Sequence, residues 1–154
     1  MPTPPHIMIV EARYYAHICD ELLKGAVAAL EQAGATHEKV TVPGAFEVPA
    51  AIRYAVSAAA RGATNAHFDG FIALGCVIRG ETTHYDYVCE LSSRGLQDLA
   101  LAHNLAIGFG ILTVENEAQA LARADVGRKN KGGEAARACL AMIALKNRFG
   151  LGRT

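Results

Sequence analysis

A chain of 154 residues with 15 basic and 15 acidic side chains has the length of a single domain and lacks the excess positive charge that would attract nucleic acid. Apolar types make up 51% and charged types only 19%, yet no run approaches the ~20 apolar residues of a membrane span. The opening MPTPPHIMIV has no basic region ahead of an apolar core, so no secretory leader is expected.

Met1 to Pro5 carries three prolines and reads as a tail or an arm along a sheet edge. His6 to Val10 is a short apolar strand, followed by the polar and aromatic Glu11-Ala12-Arg13-Tyr14-Tyr15. An amphipathic helix then runs to about Ala33, with Ile18, Leu22, Leu23, Ala26, Val27 and Leu30 on one stripe and Gly34 as its stop. Lys39 to Val42 is a second strand, ended by Pro43-Gly44, and Pro49 suits the first turn of an Ala-rich helix reaching about Ala60. Ala63 to Gly70 is a loop.

Phe71 to Ile78 is a continuous apolar run, the pattern of a parallel strand covered on both faces. Its character changes abruptly at Arg79-Gly80-Glu81-Thr82-Thr83-His84, after which a long helix carries Val88, Leu91, Leu96, Leu99 and Leu101 to about Asn104. Strand four spans Ala106 to Leu112, where Gly108 and Gly110 imply close backbone approach. Thr113 or Asn116 caps a short helix through Arg123. Asp125 to Gly133 reads as a charged connection and Glu134 to Phe149 as the last helix. The alternation predicts one α/β domain over 1–154, with a four-stranded parallel sheet and helices on both faces.

In such a sheet the carboxyl ends of the strands and the amino ends of the following helices form the ligand crevice. Four strand ends collect suitable groups: Tyr14 and Tyr15; Phe46 and Glu47; Thr82, Thr83 and His84; and Thr113 onward. Loops are polar in any protein, so one such end would mean little, but four at one edge point to a site. The start of the helix after Thr83 offers unpaired N–H groups suited to a phosphate. A lone histidine is more often a surface or capping group than a catalyst. His84 is set apart from His6, His17, His37, His67 and His103 by its place at the switch from strand to helix, where an imidazole can move protons near neutral pH.

Gly75 to Thr82 has the spacing of a Walker A loop, but Glu81 stands where the lysine should be and Cys76-Val77-Ile78 is stiff strand, which rules out a triphosphate cradle. No histidine has zinc-ligand spacing with cysteine or carboxylate help, so no metal is expected. Cys19, Cys76, Cys89 and Cys139 are scattered without CxxC spacing and read as free thiols of a reducing cytoplasm. Arg123 and Lys131 are either solvated charges or a fork and a point charge for phosphate; spacing leaves both readings open.

VPGAFEVP (Val42 to Pro49), GCVIRGETTHYDYV (Gly75 to Val88), FGILTVEN (Phe109 to Asn116) and NKGGEAA (Asn130 to Ala136) occur in an order that strongly resembles the 6,7-dimethyl-8-ribityllumazine synthase family over nearly the whole chain. The resemblance implies a flavodoxin-like three-layer α/β/α sandwich assembled into homopentamers or pentamer-based particles, with sites shared between subunits. It implies condensation of 5-amino-6-(D-ribitylamino)uracil with 3,4-dihydroxy-2-butanone 4-phosphate in riboflavin biosynthesis, without metal or cofactor, and riboflavin synthase as a partner.

By motif, Tyr14 would stack on the pyrimidine, where the family commonly has Phe or Trp. Ala45, Phe46 and Glu47 would line the ribityl chain, and Cys76, Val77 and Ile78 would bind the uracil edge. Glu81 and Thr82 would hold the butanone phosphate through the backbone, with Arg123 and Lys131 as its cations. Phe109 matches an aromatic supplied by the adjacent subunit, and His84 the proton donor. A non-catalytic flavin or lumazine carrier on the same fold is the alternative, distinguished by having no use for a phosphate clamp.

Overall fold

The computed structural model describes residues 3–152. In chain order the elements are β1 (His6–Ala12), α1 (Ala16–Gln32), β2 (Thr36–Val42), α2 (Val48–Ala60), β3 (Gly70–Ile78), α3 (His84–His103), β4 (Ile107–Val114), α4 (Glu117–Ala124) and α5 (Lys131–Arg148). A single 3-10 turn, Ala45–Glu47, leads into α2.

The four strands pair only in parallel, in the order β2-β1-β3-β4. Alternation along each strand divides the core between the two faces. Ile7 and Ile9 of β1, with Ile72, Leu74 and Cys76 of β3, pack under Ile18, Leu22 and Leu30 of α1 and Ala136 and Cys139 of α5. Met8, Val10 and Ala12, with Phe71 and Ala73, pack under Val48 and Ile52 of α2 and Leu96 of α3. The result is the three-layer α/β sandwich that the alternating pattern predicts. Each fully buried Leu or Ile, such as Ile9, Leu22 and Ile72, contributes about 1.5–3 kcal/mol of transfer free energy.

Punctuation falls largely where expected. Gly34 ends α1 at φ 73°, a conformation with little penalty only for glycine. Asn116 caps α4, its side chain accepting the Gln119 N–H at 2.9 Å. A Cβ on Gly108 would lie 2.1 Å from the Ala135 carbonyl oxygen, so β4 and α5 touch backbone to backbone there.

β1 runs past its expected end at Val10 through Glu11 to Ala12, β4 runs past Leu112 to Val114, and two elements start three residues earlier than their sequence suggests. β2 begins at Thr36, because an edge strand exposed to water tolerates Thr-His-Glu-Lys without apolar alternation. α5 begins at Lys131, and Gly132 and Gly133 lie inside it rather than in a loop. The Asn130 side chain accepts the Gly133 N–H at 3.2 Å and so caps the helix. A Cβ on Gly132 would lie 2.0 Å from the Leu22 carbonyl oxygen, so this glycine serves the contact between α1 and α5.

The apolar stripe of α3 is only partly covered by its own chain. Leu96 is buried, while Leu91 and Leu101 remain 46% and 71% exposed. Of the amino-terminal arm, Thr3 to Pro5 carries no regular structure and the Pro5 carbonyl accepts the Thr36 N–H at 3.0 Å. Met1 and Pro2 lie outside the described residues. No helix among the described residues is long and apolar enough to cross a membrane.

Candidate functional site

The connection from β1 leads to β2 on one side, and that from β3 leads to β4 on the other, so the sheet order reverses between β1 and β3. Open α/β sheets bind ligands outside the carboxyl ends of the strands at that point. A cleft of about 670 Å³ lies there, lined from the end of β1 by Tyr14 and Tyr15 and from the β2 connection by Pro43 to Glu47. Cys76, Val77 and Ile78 line it from β3, followed by Gly80, Thr82 and His84, and Tyr85, Tyr87, Val88 and Leu91 continue along α3.

Tyr14 and Phe46 stand at the rim as exposed aromatics, at 74% and 58% of their surface. The Tyr14 ring meets Tyr15 edge-on at 5.0 Å and presents a face to incoming groups. Burial, with a smaller push from neighbouring Cys89, lifts the Cys76 thiol to about 12. That thiol is therefore neutral at physiological pH and serves as wall, not nucleophile.

The segment between β3 and α3 is pinned at its base and open at its tip. The Arg79 N–H donates to the Val114 carbonyl at 2.9 Å, and its guanidinium reaches Glu115 at 2.7 Å and Asp86 at 3.4 Å. The same guanidinium sits 4.3 Å above the Tyr85 ring. Beyond it, a Cβ on Gly80 would meet nothing within 4 Å, leaving room for a ligand against the backbone. The His84 N–H donates to Thr82 Oγ1 at 3.3 Å, which helps to start α3. The His84 imidazole is exposed at the cleft and has no hydrogen-bond partner among the described residues, so both ring nitrogens are available. An imidazole, a group chemically able to accept or donate a proton, thus stands beside the N–H groups at the start of a helix, which suit an anion.

The cleft brings together Tyr14, Ala45, Phe46, Glu47, Cys76, Val77, Ile78, Thr82 and His84 of the residues singled out from the sequence. Glu81 is exposed in the same segment without lining the cleft. Phe109 lies on edge strand β4, 49% exposed, beside a separate groove with Glu90, Arg94 and Gln97 of α3. Arg123 of α4 donates to the Gln119 carbonyl at 3.1 Å, and Lys131 pairs with Glu134 at 2.9 Å. Neither lines the cleft of its own chain. Thr113, grouped with the strand ends, is an exposed position within β4.

The sequence singles out neither Tyr85 nor Tyr87 and reads Val88 and Leu91 only as apolar positions of the helix; Val88 packs against the core as well as lining the cleft. The place of these four residues in the first two turns of a helix that starts at the crevice was the available signal. Among the described residues, no three His, Cys, Asp or Glu side chains are grouped to hold a metal ion.

A family model described as 6,7-dimethyl-8-ribityllumazine synthase matches residues 4–147. Proteins named 6,7-dimethyl-8-ribityllumazine synthase show the same similarity along almost their whole length. The one from Sphingopyxis alaskensis is 58% identical, covering 96% of this chain and 99% of its own. That from Agrobacterium fabrum is 57% identical over 95% of this chain and 97% of its own. That from Paramagnetospirillum magneticum is 54% identical over 94% and 97%.

Proposed function

Because the chain belongs to the 6,7-dimethyl-8-ribityllumazine synthase family, we propose that it condenses 5-amino-6-(D-ribitylamino)uracil with 3,4-dihydroxy-2-butanone 4-phosphate, as a transferase of riboflavin biosynthesis. The observation that carries this reading is the placement of His84 at the head of α3, in a cleft that also presents the Tyr14 ring and the free backbone at Gly80.

The chemistry follows from that arrangement. The pyrimidine stacks on Tyr14 with its edge against Cys76 to Ile78, and the ribityl chain runs past Ala45, Phe46 and Glu47. The butanone phosphate binds at the Glu81 and Thr82 backbone near the first turn of α3, with the Glu81 carboxylate directed to solvent. The uracil amine attacks the ketone and expels water to give an imine. Loss of a proton from carbon then allows phosphate to leave. The second amine adds to the resulting carbonyl, and loss of water closes the ring. Most of these steps move protons between carbon, nitrogen and oxygen, which one imidazole can carry out. Holding two substrates together supplies a further large share of the rate.

Phe109, Arg123 and Lys131 lie outside the cleft of their own chain and would complete the site of a neighbouring subunit. The exposed apolar side chains Leu91, Leu101 and Phe109 support such an assembly, a pentamer in the simplest case. The Arg123 fork and the Lys131 charge would then face the phosphate. Free thiols at Cys19, Cys76, Cys89 and Cys139 suit work in a reducing cytoplasm.

The test is to incubate the purified protein with both substrates while following lumazine absorbance and inorganic phosphate together. The reading expects the two products in equal amounts, and neither when one substrate is omitted. Tight lumazine binding without turnover would overturn it in favour of a carrier.

A further inference from the structure

Glu11, near the end of β1, is a carboxylate with no solvent exposure, and it does not line the cleft. Burying a charge is unfavourable unless it is fully paired, and an apolar residue of similar volume is often no less stable. Here the pairing is extensive. Thr41 Oγ1 donates at 2.9 Å from the neighbouring strand, Cys19 Sγ at 3.3 Å from α1, and Arg13 Nη1 at 2.9 Å. Lys39 Nζ lies 3.3 Å away.

Arg13 immediately precedes Tyr14. Its guanidinium bonds to Glu11, to Asp20 of α1 and, at 3.3 Å, to the Ala16 carbonyl, and its N–H donates to the Val42 carbonyl at 3.4 Å. The turn from Arg13 to Ala16 is thereby tied to β1, β2 and α1 at once. Tyr14 is 74% exposed, and among the described residues its ring pairs with one other ring, Tyr15, edge-on.

We propose that Glu11 and Arg13 are positioning residues: the buried carboxylate holds the guanidinium that clamps this turn, and the turn fixes the direction of the Tyr14 ring. The planar fork suits this role better than an ammonium, which cannot reproduce its fixed geometry across two carboxylates and a carbonyl. This rests on the reading of Tyr14 as the face on which the pyrimidine stacks.

The experiment is a double-mutant cycle on the intact protein with Arg13→Ala, Tyr14→Ala and the pair, using 6,7-dimethyl-8-ribityllumazine as the probe and its fluorescence as the signal. Arg13→Ala should weaken lumazine binding roughly 3- to 10-fold, the scale of one net hydrogen bond. In the Tyr14→Ala background the same change should have little further effect. The Michaelis constant for ribitylaminouracil should rise with the dissociation constant, and that for the butanone phosphate should stay put. Arg13→Lys should restore part of the loss, and it takes Arg13→Ala's place in the cycle if the latter does not fold. Losses that multiply in the double variant, or Michaelis constants that rise together, would make the network purely structural and overturn the proposal. A wild type that fails to bind lumazine would overturn the functional reading first, and this proposal with it.

Discussion

Replacing Tyr14 with alanine should weaken recognition of the ribitylaminouracil while leaving the fold nearly as stable. The residue is 74% exposed, so about a quarter of its surface is covered, and its ring meets Tyr15 edge-on. A fully buried aromatic covers 150–250 Å², so roughly 50 Å² is at stake here, worth about 1 kcal/mol at 25 cal/mol per Å². A change of that size lowers the melting temperature by about 2–4 °C in a chain of this length. Stacking a base on an aromatic face is worth roughly 1–3 kcal/mol, or about 5- to 150-fold in affinity. The two effects therefore separate in one variant. The assay is the pair of Michaelis constants beside a thermal melt, with Tyr14→Phe as the control that keeps the face and removes only the hydroxyl. Tyr14→Ala should raise the constant for ribitylaminouracil within that range and leave the constant for the butanone phosphate alone, and Tyr14→Phe should behave almost as wild type. An unchanged uracil constant in Tyr14→Ala would refute the stacking role. So would a melting temperature that collapsed and carried both constants with it.

Gly132→Ala would place a methyl 2.0 Å from the Leu22 carbonyl oxygen, forcing α1 and α5 apart. It should destabilise by about 1–3 kcal/mol or more, whereas Gly80→Ala, which meets nothing within 4 Å, should not; equal melting curves would show that the helices are not in backbone contact. Burial raises the Glu11 pKa, but hydrogen bonds from Thr41, Cys19 and Arg13 outweigh it and hold the carboxyl below the ordinary value of 4.5. Its contribution to stability is present above that value and is lost as pH falls through the lower folded one. Glu11→Gln should thus be less stable at neutral pH yet lose less stability on acidification than wild type, and parallel acid limbs would contradict this.

The sheet's centre was legible because β3 is buried on both faces and reads as an uninterrupted apolar run that stops where the cleft begins. The start of β2 was not, because an edge strand beside water need not alternate. The head of α5 was hidden by two glycines that usually break helices, and only the neighbouring Leu22 backbone explains Gly132. Within the site, Tyr14, Phe46, Thr82 and His84 were visible as polar or aromatic groups at strand ends. Tyr85 and Tyr87 were not, since a residue's side of a helix depends on where its first turn sits. Glu11 read as part of a polar loop, because sequence cannot show that a carboxylate is buried when its partners Thr41 and Cys19 come from other elements. The placement of Phe109, Arg123 and Lys131 away from the cleft had no local signature, for it depends on how the layers stack.

The claim that the chemistry occurs at the head of α3 is tested most directly by turnover in His84→Ala. With both substrates saturating, the variant should form lumazine roughly 10- to 10⁴-fold more slowly than wild type, because general acid–base help is typically 10²–10⁴ and water substitutes in part. Its dissociation constant for ribitylaminouracil, measured alongside, should be nearly unchanged. Turnover at the wild-type rate would contradict the account and leave His84 as a residue that merely begins a helix.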